Sequence, residues 1–366
     1  MVFFDFLRVH QYSIENFQLF RYIRSFLSNL NAIGVLVDRV TQRQRFLKTL
    51  LGHGADRFPF FDLDPAEDTL KRWHREGFPP GKSFSEYFNL ETHHSVGLIL
   101  RSYPFFKKAP DLLHDPSSFS RHYNPDHPSR YAKGFVKRSR RLEQDGRVLY
   151  VDATGGGLLQ MLGVGDWESL VSACFALIER AEFVEDLIHL TTDFYCVCLE
   201  RVLSKVSVDY ASFYEPIAFN KGPVISPTMF NQFALPGYRK IISLLEKFNV
   251  PLRIFCTTGG DLTSLLPSLI DAGINGLWIS NIRSTGMEYA RLRRTFGSDL
   301  ALIGGIDATA LTQDEAGVRR AVEETVPPLL ESGHYLPCLD DRPRRNIPFA
   351  HYRLYRRILE EIAQKG

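Results

Sequence analysis

From about Val208 onward, short apolar runs alternate with longer amphipathic stretches, and this alternation limits the possible folds more than any other feature of the chain. The runs Val208–Phe213, Leu252–Phe255, Gly276–Ile279, Leu300–Ile303 and Tyr335–Pro337 read as strands. Between them, three- and four-residue spacing of apolar side chains predicts helices near Pro227–Phe248, Leu262–Ala272, Met287–Phe296, Glu315–Leu330 and Phe349–Ala363. Gly273 and Gly297 stand where a helix end calls for a left-handed residue. Strands that are apolar throughout need cover on both faces, and strand–helix alternation makes them parallel.

Upstream, Arg57–Asp62, Val96–Tyr103 and Arg147–Asp152 read as further strands, with helices over Tyr131–Glu143, Trp167–Ile178 and Ala181–Ser204. Eight units of roughly 40 residues fill the chain from about residue 41, which predicts an α/β fold, a single (β/α)8 TIM barrel over residues 41–366. A doubly wound open sheet is the alternative, but no G-x-G-x-x-G follows a strand. Residues 1–40 read as an amphipathic, phenylalanine-rich helical extension, with a misassigned start as the rival explanation; they lack the layout of a signal peptide.

Composition narrows the function. Lys and Arg number 44 against 42 Asp and Glu, a net charge of +2, so no overall field draws the chain to nucleic acid. Every apolar run is interrupted by charge well short of a membrane span. The five cysteines, at 174, 196, 198, 256 and 338, are odd in number and scattered, which points away from a disulfide framework and toward the cytoplasm. Cys196 and Cys198, two apart on a helix, face different ways and read as core. His93-His94, His122 and His127 lack partners at ligand spacing and read as surface residues.

Three segments resemble the uroporphyrinogen decarboxylase superfamily: Tyr214-Glu-Pro-Ile-Ala-Phe-Asn-Lys-Gly-Pro-Val-Ile-Ser-Pro-Thr-Met-Phe230 with Phe233-Ala-Leu-Pro-Gly-Tyr238, then Ala301-Leu-Ile-Gly-Gly-Ile-Asp307, then Gly333-His-Tyr-Leu-Pro-Cys-Leu-Asp-Asp-Arg-Pro343. The resemblance implies a (β/α)8 barrel with its site at the C-terminal strand ends. The R-x-A-G-R-Y-type motif by which the decarboxylases grip substrate carboxylates is missing; Asp56-Arg-Phe-Pro-Phe-Phe-Asp62 stands there instead. The superfamily's cobamide-dependent methyltransferases hold zinc through H-x-C and a later cysteine. Here those places read Cys256-Thr257-Thr258 and the neighbourhood of Asp341, with Cys338 three residues earlier. A third branch ends in G-Y-x-P-x-x-D-H and keeps a Glu where Glu215 stands; this chain is most similar to it, with Asp341 replacing the His.

These relationships imply Glu215, Cys256 and either Cys338 or Asp341 as zinc ligands, and a corrinoid on a partner protein as methyl carrier. The candidate catalytic residues are Glu215, Asp307 and, as the acid of a decarboxylase, Asp62; the candidate contacts to a small-molecule substrate are Tyr214, Gly304 and Gly305, where glycine allows close approach, and Arg342, in a guanidinium rim that suits a carboxylate. Each has a plainer reading. A cysteine at a strand end is usually filler, Glu215 before Pro216 can close a turn, and Asp307 can cap the helix that follows. Arg342, Arg344 and Arg345 can form a solvated face, and Gly155-Gly156-Gly157, with no Lys-Ser/Thr after it, reads as a flexible loop. The leading expectation is a methyltransferase. The alternatives are a decarboxylase of an acidic substrate and a non-catalytic barrel that binds a small acid; a homodimer is an open possibility for assembly.

Overall fold

Seven parallel strands lie side by side in the order in which the chain makes them: β1 (His93–Ser95), β2 (Val148–Asp152), β3 (Tyr210–Tyr214), β4 (Leu252–Thr257), β5 (Gly276–Ile279), β6 (Ala301–Ile303) and β7 (Tyr335–Leu336). The computed structural model describes residues 40–100, 122–219, 221–282 and 286–365. Residues 1–39, on which the predicted helical extension falls, lie outside this set.

Side chains alternate between the two faces of each strand. Leu149, Val151, Ala211, Phe213, Phe255, Leu277 and Leu302 point outward into a large core shared with the helices. Val148, Tyr210, Leu252, Ile254, Cys256, Ala301, Ile303 and Leu336 point inward and form a second, smaller core. Because β2 and β7 are remote in strand order yet contribute to one inner cluster, the sheet curls on itself. Helix Gln42–Leu50, whose start is fixed by a reciprocal Thr41/Gln44 capping box, places Phe46 and Leu50 in that inner cluster among the first residues of the strands. The architecture is a mixed α/β fold with a curled, parallel, seven-stranded sheet, similar to a TIM barrel.

Closure by an eighth strand is not seen among the described residues. The predicted strand Arg57–Asp62 is extended but makes no ladder: Pro59 has no N–H to give, and the Asp62 side chain takes the bond that a neighbouring strand would receive. Glu91 N donates to Phe60 O at 2.7 Å, and Leu339 N donates to Asp62 Oδ1 at 2.9 Å. The segment therefore sits between β1 and the end of β7 through isolated bonds. The strand predicted over Val96–Tyr103 also shifts: the ladder runs through His93–Ser95, and Leu98 makes only an isolated antiparallel bridge to Tyr131. Residues 101–103 of that expectation lie outside the described set.

The remaining elements fall close to their expected positions, and helix Phe349–Ala363 does so residue for residue. The helix expected over Pro227–Phe248 is divided into Pro227–Met229, a π-helical turn Phe230–Ala234, and Leu235–Lys247. Pro236 cannot donate to the preceding turn, which accounts for the change of winding. No helix among the described residues is long and apolar enough to cross a membrane.

Candidate functional site

The C-terminal ends of β3 and β4 bring Glu215 and Cys256 next to one another in the backbone, with Glu215 N donating to Cys256 O at 2.8 Å. Their side chains nevertheless part. Cys256 lies in register with Tyr214 and shares its inward face, so Glu215, one residue on, points outward. The fully buried Glu215 carboxylate accepts Leu159 N at 3.0 Å and Tyr238 Oη at 2.9 Å, which ties β3 to the start of the short helix Leu158–Met161. Burial pushes its pKa up to about 7 against those hydrogen bonds. A Cβ on Gly157 would stand 2.5 Å from Glu215 Oε2. Gly155-Gly156-Gly157 is therefore a packed turn rather than the flexible loop expected of it.

The other expected ligands are occupied as well. Asp341 accepts Arg342 N at 2.8 Å with one oxygen and pairs with Arg344 at 2.8 Å with the other. Cys338 is buried in the inner core, and burial raises its thiol well above the usual range. Cys256 Sγ lies 3.4 Å from Ser212 Oγ, and burial pushes it up to about 12, so nothing holds it as a thiolate. Among the described residues no group of three or more His, Cys, Asp or Glu side chains is placed to hold a metal ion. The zinc set of Glu215, Cys256, Cys338 and Asp341 does not fit: one member faces the outer layer and another spends both oxygens on local partners.

Asp62 is likewise not an available acid. Its fully buried carboxylate receives Leu339 N, Tyr352 Oη at 2.8 Å, Tyr355 Oη at 3.1 Å and Arg356 Nη1 at 3.2 Å. Asp307 caps the turn Ala308–Thr312, accepting Thr309 N at 2.8 Å and Thr309 Oγ1 at 2.6 Å. Its neighbour Asp340 accepts Ala308 N at 2.9 Å, and burial pushes its pKa up to about 7. Gly305 has φ +86°, and a Cβ there would stand 2.6 Å from the Tyr289 ring. Gly304 lies beside Trp278. Tyr214 is 38% exposed at the mouth, and Arg342 is exposed outside the cavity.

The cavity that does open on the inward face has a volume of about 330 Å³ and is walled by Phe61, His93, Tyr150, Tyr210, Ser212 and Trp278. The rings support one another: Phe61 stacks on His93 with centroids 4.3 Å apart, Tyr150 stacks on Tyr210 at 5.1 Å, and Phe61 meets Trp278 at 5.5 Å and 73°. His93 Nδ1 lies 3.1 Å from Tyr210 Oη, while Nε2 is buried without a partner. Burial first, and then the neighbouring His94, push the His93 pKa down to about 3, so the ring is neutral near pH 7. His93 is thus an interior residue, not the surface histidine its sequence context suggests, because β1 begins earlier than expected. The other wall residues were legible in one respect: Tyr150 with Asp152, and Tyr210 with Ser212, put polar and aromatic groups on one face of strands whose alternate positions are Leu149, Val151, Ala211 and Phe213.

A curled parallel α/β sheet with a cavity on its inner face defines the class of protein. Residues 166–336 match the model of the family described as uroporphyrinogen decarboxylase (URO-D), so the resemblance carried by the central motifs holds over that stretch. Among solved structures, one described as a vitamin-B12 independent methionine synthase from Listeria monocytogenes is similar at 14% identity over 64% of this chain and 68% of that one, with a TM-score of 0.36. No curated protein matches.

Proposed function

We propose that the chain is a URO-D-like methyltransferase that takes a small methylated substrate in the aromatic cavity and passes the methyl group to a nucleophilic acceptor on a partner protein. The observation that carries the choice is charge. Among the described residues no Lys or Arg lines the cavity, whereas Asp64 does, and Asp152 follows Tyr150 on the same face of β2. A decarboxylase of polyacidic substrates, or a barrel that binds small acids, needs cationic anchors to hold carboxylates. The walls here offer rings and hydroxyls instead.

A corrinoid remains the acceptor suggested by the family, carried by the partner. An exposed apolar stripe near the C-terminal strand ends supports docking of that partner. Trp167, Val171, Phe175 and Ile178 form a stripe on helix Trp167–Glu179, with Trp167 70% and Ile178 73% exposed. The Trp167 ring meets that of Phe219, just beyond the C-terminal end of β3.

The test is a pair of turnover assays on the purified chain. Methyl transfer from a panel of methylated amines, sulfonium compounds, thioethers and methoxylated aromatics to a reduced corrinoid acceptor is expected, with no carbon dioxide released from uroporphyrinogen. Carbon dioxide release without methyl transfer would overturn the proposal in favour of the decarboxylase.

A further inference from the structure

The chemistry of a methyl donor depends on its leaving group. A neutral ether or thioether leaves as an anion unless an acid or a metal ion meets it. An onium donor needs neither. When its C–N⁺ or C–S⁺ bond breaks, the electron pair stays on nitrogen or sulfur and a neutral amine or thioether departs; the methyl carbon bonds to the acceptor's nucleophile, and no proton moves.

The cavity has the character that such a donor calls for. The titratable rings of its wall are poor acids: His93 is held neutral, and burial raises Tyr150, and Tyr210 well beyond the usual phenol range, while the lining carboxyls Asp62 and Glu91 are engaged by Arg356 and by Arg45 and Arg57. Cys256, next to wall residue Ser212, is pushed up to about 12. The electrostatics favour a cation. The guanidinium groups of Arg45 and Arg57 behind Glu91 are matched by Asp56 and Glu91, with Arg45 to Asp56 at 2.8 Å, Arg45 to Glu91 at 2.8 Å and Arg57 to Glu91 at 2.9 Å. Asp62 is matched by Arg356. Among the described residues neither Asp64 nor Asp152 has a cationic side chain in an ion pair of this kind. Phe61 and Trp278 meet nearly at right angles, and Tyr150 stacks on Tyr210 close by. Ring faces attract a methylated cation through their quadrupole, most strongly where water is excluded.

We infer that the aromatic cavity formed by Phe61, His93, Tyr150, Tyr210 and Trp278, with Asp152 above it, selects a quaternary ammonium or sulfonium compound as its ligand. This substrate class rests on the methyltransferase reading for its chemistry, but its recognition can be tested by binding alone.

The probes are choline and its uncharged isostere 3,3-dimethyl-1-butanol, titrated calorimetrically into the full chain, with acetate as the anionic control. Choline is expected to bind roughly tenfold more tightly than the isostere, as cation–π attraction in a partly desolvated site implies. Trp278→Leu should abolish that preference and Trp278→Phe should keep most of it, with thermal unfolding checked for each variant. Asp152→Asn should weaken choline binding and leave the isostere unchanged. Equal binding of choline and isostere, tighter binding of acetate, no binding of choline, or a preference that survives Trp278→Leu would each overturn the inference. Trp278-dependent choline binding with no methyl transfer from any onium compound would overturn the transferase reading and leave the recognition standing. Methyl transfer from a neutral thioether without a choline preference would do the reverse.

Discussion

Replacing Glu215 with Gln separates a structural carboxyl from a catalytic one. In the folded chain burial holds this group near a pKa of about 7, against an ordinary value of 4.5 for a glutamate. The folded state therefore keeps its proton to higher pH than the unfolded chain does. Stability from this site is fully present below about pH 4.5 and is lost as pH rises through about 7. The shift corresponds to about 3 kcal/mol between pH 4 and pH 8, at roughly 1.4 kcal/mol per pKa unit. Glutamine is nearly isosteric with the protonated acid, can accept the Leu159 N–H with its carbonyl and can donate to Tyr238 Oη. Urea denaturation at a series of pH values should show Glu215→Gln within about 1 kcal/mol of the parent at pH 5 and more stable by about 2 kcal/mol at pH 8. The variant should also retain ligand binding in the inner cavity, since Glu215 faces the opposite layer. Parallel stability curves, or loss of binding by a normally folded variant, would refute the assignment.

Three further outcomes follow from the same structure. Asp62→Asn removes the charge that balances Arg356, which is 2% exposed, and should cost about 3–5 kcal/mol, read as a large drop in urea midpoint. Gly305→Ala meets both a left-handed backbone and the Tyr289 ring, so a loss of about 1–3 kcal/mol in the same assay is expected. Cys256, buried with its thiol pushed up to about 12, should resist a thiol reagent at pH 8 in the folded chain and react promptly in urea; rapid native labelling mapped to Cys256 by mass spectrometry would contradict its placement.

Much of the α/β layout was legible because parallel strands buried on both faces have to be apolar throughout. Gly276–Ile279 is found residue for residue, and β2, β3, β4, β6 and β7 lie within two residues of their expected ends. What failed was local and has physical causes. Arg57–Asp62 has a strand's composition, but its bonds go to Glu91 and to the Asp62 side chain, which no pattern of hydropathy records. The site was harder to read. Proximity of Glu215 and Cys256 along neighbouring strands was foreseeable, but their facing depends on register, and one residue decides which side of a sheet a side chain occupies. His93 was overlooked because a histidine in a polar sequence context carries no sign of the three rings, Phe46, Phe61 and Tyr210, that enclose it.

The Asp62 clasp also sets an order of events during synthesis. Its guanidinium partner lies 294 residues further along the chain, and the two tyrosines that complete the set lie at 352 and 355. Until those residues have left the ribosome, nothing can neutralise the acid at the seam, so the first and last parts of the sheet have to wait for the final helix before they lock. Contacts of such long separation form slowly and late, and a nascent chain halted before residue 352 should remain open along this seam, exposed to proteases and chaperones.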